Sequence, residues 1–112
     1  MSHVNLNRHL VLEAPERLPD GAGGYVQTWR CVGEIWGEIV ARTGREVSGG
    51  EVQLSSAGYR IIVRAAPVGA PSRPRPEQRL RGAGRVFRIE AVTDRDPTGR
   101  YLTCYATEEV AV

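Results

Sequence analysis

The stretch Tyr59-Arg60-Ile61-Ile62-Val63-Arg64-Ala65 decides the fold class of this 112-residue chain. Its odd-numbered side chains are aromatic or aliphatic, whereas its even-numbered ones are two arginines on either side of Ile62. An alternation with a period of two, in a run rich in β-branched residues, is typical of a half-buried β-strand. The stretch therefore predicts a strand with one face in a hydrophobic core.

The same alternation recurs along most of the chain. Toward the N-terminus it predicts a strand around residues 10–12 that ends at Pro15, a loop over residues 15–24, and strands over residues 25–31 and 35–40. Toward the C-terminus it predicts a hairpin of residues 78–81 and 86–93 closed through Gly82-Ala83-Gly84, a turn over residues 94–100, a strand over residues 101–107 and a free tail from Glu108. Short strands separated by turn signals predict an all-β fold: a small single-domain β-barrel of about six strands over residues 1–112.

Two segments interrupt the strand pattern. Residues 42–58 are polar and glycine-rich, which predicts a long mobile loop, with a short helix over residues 51–55 as an alternative for part of it. Residues 67–76 hold four prolines, which predicts an extended loop along a sheet edge. Gly33 and Gly37, inside strand patterns, predict the bulges or bends that close a small barrel.

The apolar residues of the predicted strands divide into core and surface candidates. Phe87 alternates with Ile89 and is expected in the core. Trp29 and Trp36 are expected in the core as well, with a subunit interface as the alternative, because tryptophan is enriched in both environments. The two cysteines of the chain, Cys31 and Cys104, are expected as small buried side chains without a disulfide.

The charge of the chain is unevenly distributed. All fifteen basic residues are arginine, and the net charge of +2 conceals a basic middle block over residues 60–88 between two acidic segments. Such an asymmetry indicates either a surface that faces nucleic acid or a basic face that pairs with an acidic one on another subunit. Few aromatic residues accompany the arginines, so a base-stacking platform is poorly supported, while contact with a nucleic-acid backbone stays open.

Sequence signatures of enzymes, metal sites and membrane segments are absent. The only histidines are His3 and His9, with His9 on the outward face of the first strand, and there is no HExxH motif or Cys/His cluster. The glycine-rich stretches lack the Lys-Ser/Thr of a phosphate-binding loop, and no apolar run approaches the length of a membrane helix. We therefore predict no catalytic, cofactor or metal residues and no membrane contact. Without a signal peptide, a cytoplasmic origin is expected.

Six stretches, in order, resemble one protein family. They are residues 6–15 (LNRHLVLEAP), 20–29 (DGAGGYVQTW), 35–39 (IWGEI), 44–46 (GRE), 59–64 (YRIIVR) and 84–92 (GRVFRIEAV). Each is a generic strand or turn, but the collinear series is similar to the phage head–tail joining family of stopper or head-closure proteins. The chain departs from that pattern at residues 71–76, which are longer and richer in proline.

The resemblance implies a structural protein rather than an enzyme. Such a subunit would assemble as a homo-oligomeric, hexameric ring in the neck of a tailed phage or a phage-derived gene transfer particle. A portal or adaptor ring would lie on one side and tail-terminator or tail proteins on the other. The ring would retain the packaged double-stranded DNA in its channel and dock the tail.

The resemblance also assigns the residues of the loop, and the basic middle block supplies a second group. The channel or gate loop would contain Arg42, Gly44, Arg45, Glu46, Gly49, Gly50 and Glu51. A basic surface facing a partner or DNA would contain Arg60, Arg64, Arg73, Arg75, Arg79 and Arg81. Two other functions stay open: a nucleic-acid-binding small β-barrel and a tail-terminator ring protein.

Overall fold

The computed structural model describes residues 3–42 and 58–109, and in them six antiparallel strands form one closed sheet. The strands are β1 (Arg8–Pro19), β2 (Tyr25–Ala41), β3 (Gly58–Arg64), β4 (Arg79–Gly82), β5 (Arg85–Asp94) and β6 (Tyr101–Glu109). They neighbour one another in the order β1-β2-β3-β6-β5-β4, with β4 returning to β1. The predicted small all-β domain of about six strands is confirmed. Within the described residues, no helix has the length and apolar character that a membrane crossing requires.

The core fills the inside of the closed sheet with inward-facing side chains from all six strands. Phe87 and Ile89 lie there, as predicted, and Tyr59 packs edge-on against Phe87 with ring centroids 5.3 Å apart. Burial of each large aliphatic or aromatic side chain contributes about 1.5–3 kcal/mol. Five strands supply the buried cluster, against which Val32, Ile35 and Ile39 of β2 pack; its members are Leu10, Leu12, Ile61, Val63, Leu80, Phe87, Ile89, Leu102, Cys104 and Ala106.

The predicted hairpin of residues 78–81 and 86–93 is present as β4 and β5, whose bounds differ from the predicted ones by one residue at each end. Its two-residue turn places Ala83 at φ 52° and Gly84 at φ 78°. Two successive positive φ angles define the type I′ turn, whose twist matches that of the flanking strands. The predicted bulge at Gly33 is also present, because the β1–β2 register shifts between Leu12 and Glu13 and leaves Val32 without a partner on β1.

The first two strands are much longer than predicted. β1 continues through Pro15 to Pro19, and the two predicted strands before and after residue 33 are a single strand, β2. Pro15 pairs with Trp29 and Pro19 with Tyr25. Proline is tolerated there because β4 pairs only with Val11–Glu13, so the later residues of β1 form an edge that needs no outward N–H.

Two smaller expectations are corrected. Residues 67–76 form no strand, as predicted, but they are folded into turns rather than extended, with Ala70 N donating to Pro67 O and Arg73 N to Ala70 O. Pro74 in this connection is fully buried. The tail was expected from Glu108, but β6 continues to Glu109, opposite Val86 of β5.

The molecule is elongated, with extents of 54 × 30 × 26 Å, and its two ends differ. β1 and β2 project beyond the barrel at one end. At the other end lie Gly58, the β4–β5 turn and Glu109. There Arg85 covers the core, with its guanidinium 4.8 Å from the ring centroid of Phe87 and two 3.0 Å hydrogen bonds to Glu108. The bidentate hydrogen bond from Arg85 lowers the pKa of Glu108.

Candidate interaction surfaces

The projecting hairpin, here called the hairpin arm, comprises residues 14–30. Its strands pair with each other in unbroken register from Ala14 and Arg30 to Pro19 and Tyr25, and among the described residues with no other strand. At the tip, Asp20 Oδ1 accepts hydrogen bonds from the backbone N–H groups of Ala22 (2.8 Å) and Gly24 (3.0 Å). These bonds hold the pKa of Asp20 below its usual range, so the tip carries a negative charge at neutral pH.

The two faces of the hairpin arm have different chemistry. On one face, the Arg17 guanidinium stacks 4.8 Å from the ring centroid of Tyr25. On the other face, Leu18 lies directly opposite Val26, and the two are 45% and 51% exposed. A two-stranded hairpin has no core of its own, so this exposed pair is an apolar surface without internal use.

A polar clamp fastens the root of the hairpin arm to the barrel. The buried Glu13 carboxylate accepts hydrogen bonds from Arg79 Nε at 2.6 Å and Arg81 Nε at 3.0 Å. Arg79 also stacks on Trp29, 4.1 Å from the ring centroid. Burial alone would raise the pKa of Glu13, but the two guanidinium hydrogen bonds more than offset it, and the pKa lies below its usual range.

A cleft lies beside the root of the hairpin arm, between β2 and the β3–β4 connection. One part is a cavity of about 250 Å³ lined by Leu12, Val32, Gly33, Glu34, Ile35, Pro71 and Ser72. An adjoining cavity of about 290 Å³ is lined by Arg30, Val32, Gly69, Ala70, Pro71, Arg75 and Gln78. β3 pairs with β2 only from Gly37 onward, so the β2 edge above the cleft forms no ladder with another described strand.

An exposed aromatic cluster lies on the outer wall of β1 and β2. Trp36 is 53% exposed, which corrects the expectation that it belongs to the core. His9 faces outward, as predicted. Its ring centroid lies 5.2 Å from that of Trp36, and its Nε2 lies 2.6 Å from Glu34 Oε1.

The two cysteines differ in exposure. Cys31 is exposed, contrary to expectation, whereas Cys104 is buried, and burial raises the pKa of its thiol to about 12. Both thiols are free.

The arginines predicted as one basic surface are distributed over different parts of the molecule. Arg60 and Arg64 lie on β3 and Arg79 and Arg81 on β4, which are opposite each other in the closed sheet. Arg79 and Arg81 are paired with Glu13. In the β3–β4 connection, Arg73 donates to Ala66 O at 3.0 Å, and the backbone N–H of Arg75 donates to Gln78 Oε1. The structure therefore brings Arg79 and Arg81 together but separates them from Arg60 and Arg64.

Arg42 is the one described residue of the predicted gate loop; Gly44, Arg45, Glu46, Gly49, Gly50 and Glu51 lie outside the described residues, as does the alternative helix. The Arg42 side chain is only 3% exposed and lies across Gly58, where a Cβ would come within 2.0 Å of the guanidinium. Its Nη2 donates to Ala106 O at 3.2 Å and lies 3.8 Å from Glu90 Oε1. Arg42 is expected in the gate loop, but its guanidinium is enclosed by the sheet, because glycine at position 58 leaves room for it.

Sequence reasoning missed the hairpin arm and its clamp. Residues Ala14-Pro15-Glu16-Arg17-Leu18 do not alternate between apolar and polar, so the period of the sequence gives no signal that β1 continues past Pro15. Pro15 predicts the end of the strand. On an edge strand, however, proline removes only an outward-facing N–H group, and pairing with the inner neighbour continues. The clamp joins residues 66 or more positions apart, so no local pattern could indicate it.

In the described residues, no group of three or more His, Cys, Asp or Glu could hold a metal ion.

Comparisons with known proteins agree with this picture. The family model of the phage head completion protein matches residues 1–109. A chain in a structure described as the virion of a native gene transfer agent particle is 53% identical, covering 97% of this chain and 100% of that one, with a TM-score of 0.75. Protein SF1141 from Shigella flexneri 2a is 18% identical over the full length of both chains with a TM-score of 0.78, a likeness of fold. No curated protein matches the sequence.

Proposed function

The chain belongs to the phage head completion protein family, and from that premise we propose that it forms a homo-oligomeric, hexameric ring in the neck of a tailed phage or gene transfer particle. In that position the ring retains packaged double-stranded DNA and docks the tail. A portal or adaptor ring contacts one side, and tail-terminator or tail proteins contact the other. The protein acts through assembly and has no catalytic activity.

One observation carries the proposal: the full-length, 53% identical match to a chain of a gene transfer agent virion. The match covers 97% of this chain with a TM-score of 0.75, so the two chains share their fold along nearly their whole length. The geometry supports it, since an elongated subunit with different structures at its two ends is suited to contact different neighbours along an axis. The family match favours head completion over the tail-terminator alternative.

Two observations weigh against a free nucleic-acid-binding barrel. Arg79 and Arg81 are paired with a buried carboxylate, and Arg85 forms a bidentate pair with Glu108. Binding to phosphates requires arginines whose charge is available, because affinity comes mainly from the release of counterions. We therefore assign the DNA contact to the assembled ring and keep the exposed Arg64 of β3 as its candidate.

A finer proposal concerns the residues that follow Arg42. Their glycine-rich composition and the family resemblance support a segment that lines or closes the channel of the ring. The flanking residues meet at the barrel end opposite the hairpin arm, where Arg42 N donates to Gly58 O at 3.1 Å. Deleting residues 44–57 should leave a folded domain but yield leaky or empty particles, and DNA-filled particles from this variant would exclude the gate.

The primary experiment is negative-stain microscopy of particles that carry a tagged copy, together with particles from a strain that lacks the gene. A tag at the neck, with tailless and leaky heads when the gene is absent, would support the proposal. Nuclease-protected DNA in the heads measures retention independently of tail attachment. Normal particles without the gene, or a tag away from the neck, would overturn it.

A further inference from the structure

We propose that the hairpin arm of one copy inserts its tip into the cleft beside the root of the hairpin arm of a neighbouring copy. Leu18 and Val26 would enter the part of the cleft lined by Leu12, Val32, Ile35 and Pro71. This inference rests on the proposed function, because it requires copies assembled side by side. The contact between tip and cleft would join neighbouring copies in the ring.

The tip of the hairpin arm has the properties of an inserted element. Leu18 and Val26 form a cross-strand pair at its end, and about half of each side chain is exposed. Below them, Thr28 Oγ1 donates to Glu16 O at 3.3 Å and Glu16 pairs with Arg30 at 3.5 Å. The pair is thus presented on an ordered support, so little conformational entropy is lost when it is buried by a partner.

The cleft has the properties of a receiving site. Leu12, Val32, Ile35 and Pro71 give one of its cavities, of about 250 Å³, a largely aliphatic lining. Above it runs the β2 edge that precedes Gly37, which forms no ladder with a described strand on that side. An edge with free backbone N–H and C=O groups can hydrogen-bond an incoming strand, and the neighbouring pockets then take its side chains.

The charges of the two surfaces are complementary. The tip presents the anionic Asp20, one of whose oxygens, Oδ1, accepts the two backbone hydrogen bonds of the turn. Arg30 and Arg75 line the adjoining cavity of about 290 Å³, and because Arg30 pairs with Glu16 of its own arm, the exposed Arg75 is the cation that the tip would meet. An anionic tip that approaches a cationic rim is drawn to the correct orientation before the apolar groups make contact.

The occupant of the cleft must come from another copy. The tip lies about 20 Å along β1 from Leu12, at about 3.3 Å per residue. Register with β2 holds the hairpin arm extended as far as Pro19 and Tyr25, so the tip does not fold back onto its own root. A contact between two different patches of identical subunits repeats head to tail, and it closes into a ring when the rotation between subunits allows it.

Cross-linking between two singly substituted chains tests the contact directly. Both chains carry Cys31→Ser to remove the exposed native thiol; one also carries Leu18→Cys and the other Ser72→Cys. The two are produced together in particle-forming cells and treated with a short bismaleimide. We expect a band of twice the subunit mass when both chains are present and none from either chain alone. Leu18→Cys with Thr93→Cys, on the outer wall of β5, is the matched control and should stay uncross-linked.

The outcomes separate this inference from the proposed function. If the tagged chains lie at the neck of DNA-filled particles but positions 18 and 72 do not cross-link, the contact is wrong and the neck position stands. If the wild-type chain is absent from the neck, the proposed function fails first. If the Leu18→Cys chain does not enter particles, Val26→Cys replaces it at the other tip position and is judged by the same criterion.

Discussion

β1 and β2 run through both the barrel and the hairpin arm, but these two regions are stabilised in different ways. Inside the barrel, Leu10 and Leu12 of β1 are 1% exposed, and the core is closed on every side by paired strands. In the hairpin arm, the continuation of β1 carries Leu18 at 45% exposure, and order comes from pairing, stacking and the Glu13 clamp. The barrel is thus stabilised by burial, while the hairpin arm leaves its apolar groups exposed.

The sharpest test of this contrast is the replacement of Phe87, the largest fully buried side chain. Phe87→Ala leaves a cavity beneath Tyr59 and Arg85, and we expect a loss of about 3–5 kcal/mol in the free energy of unfolding. Urea denaturation followed by tryptophan fluorescence measures it. A loss below about 1 kcal/mol would mean that the barrel does not depend on its core.

The next effect concerns the junction between Arg42 and Gly58. Gly58→Ala would place a Cβ within 2.0 Å of the buried guanidinium, and we expect a loss of about 1–3 kcal/mol from overpacking. Arg42→Ala removes the clashing group, so Gly58→Ala should be less destabilising in that background. Equal effects in both backgrounds, in a double-mutant cycle of unfolding free energies, would show that the two residues are not coupled.

The clamp predicts a dependence of stability on pH. The pKa of Glu13 is lowered in the folded state, so its ionised form adds stability above the ordinary carboxyl pKa and loses it as the pH falls through the lower folded value. Glu13→Gln should cost about 1.5–3 kcal/mol at pH 7, the value of hydrogen bonds to a charged group. The difference from wild type should shrink at pH 3. Unfolding curves at both pH values check this, and a constant difference would contradict it.

The smallest expected effect is at the tip of the hairpin arm. Leu18→Ser should change the free energy of unfolding by no more than about 0.5 kcal/mol, because the side chain is 45% exposed and outside the core. The same variant should reduce incorporation into particles, measured by immunoblot against a capsid protein. A large loss of stability with normal incorporation would contradict this prediction, because Leu18 would then stabilise the fold and not the assembly.

The local sequence pattern predicts the strands and core of the barrel, but it does not predict which side chains meet on the surfaces. The alternation at β3, the Ala83-Gly84 turn and the inward Phe87 follow from propensity and period, which neighbouring residues determine. Trp36 was misassigned because a tryptophan in a strand fits either side of a sheet, and only the register with His9 shows that it faces outward. The pairing of Arg79 and Arg81 with Glu13 depends on how β4 meets β1, and the order of residues along the chain does not contain that information.

The two prolines of the hairpin arm have a consequence for the subunit before assembly. Exposed sheet edges at high protein concentration promote association of chains strand by strand and the growth of fibrils. Pro15 and Pro19 remove two N–H groups from the β1 edge, so a second strand cannot template on that side. Growth of a continuous sheet needs two competent edges. On the hairpin arm the β1 edge is blocked in this way, so unassembled subunits cannot stack arm on arm through both edges into a growing sheet.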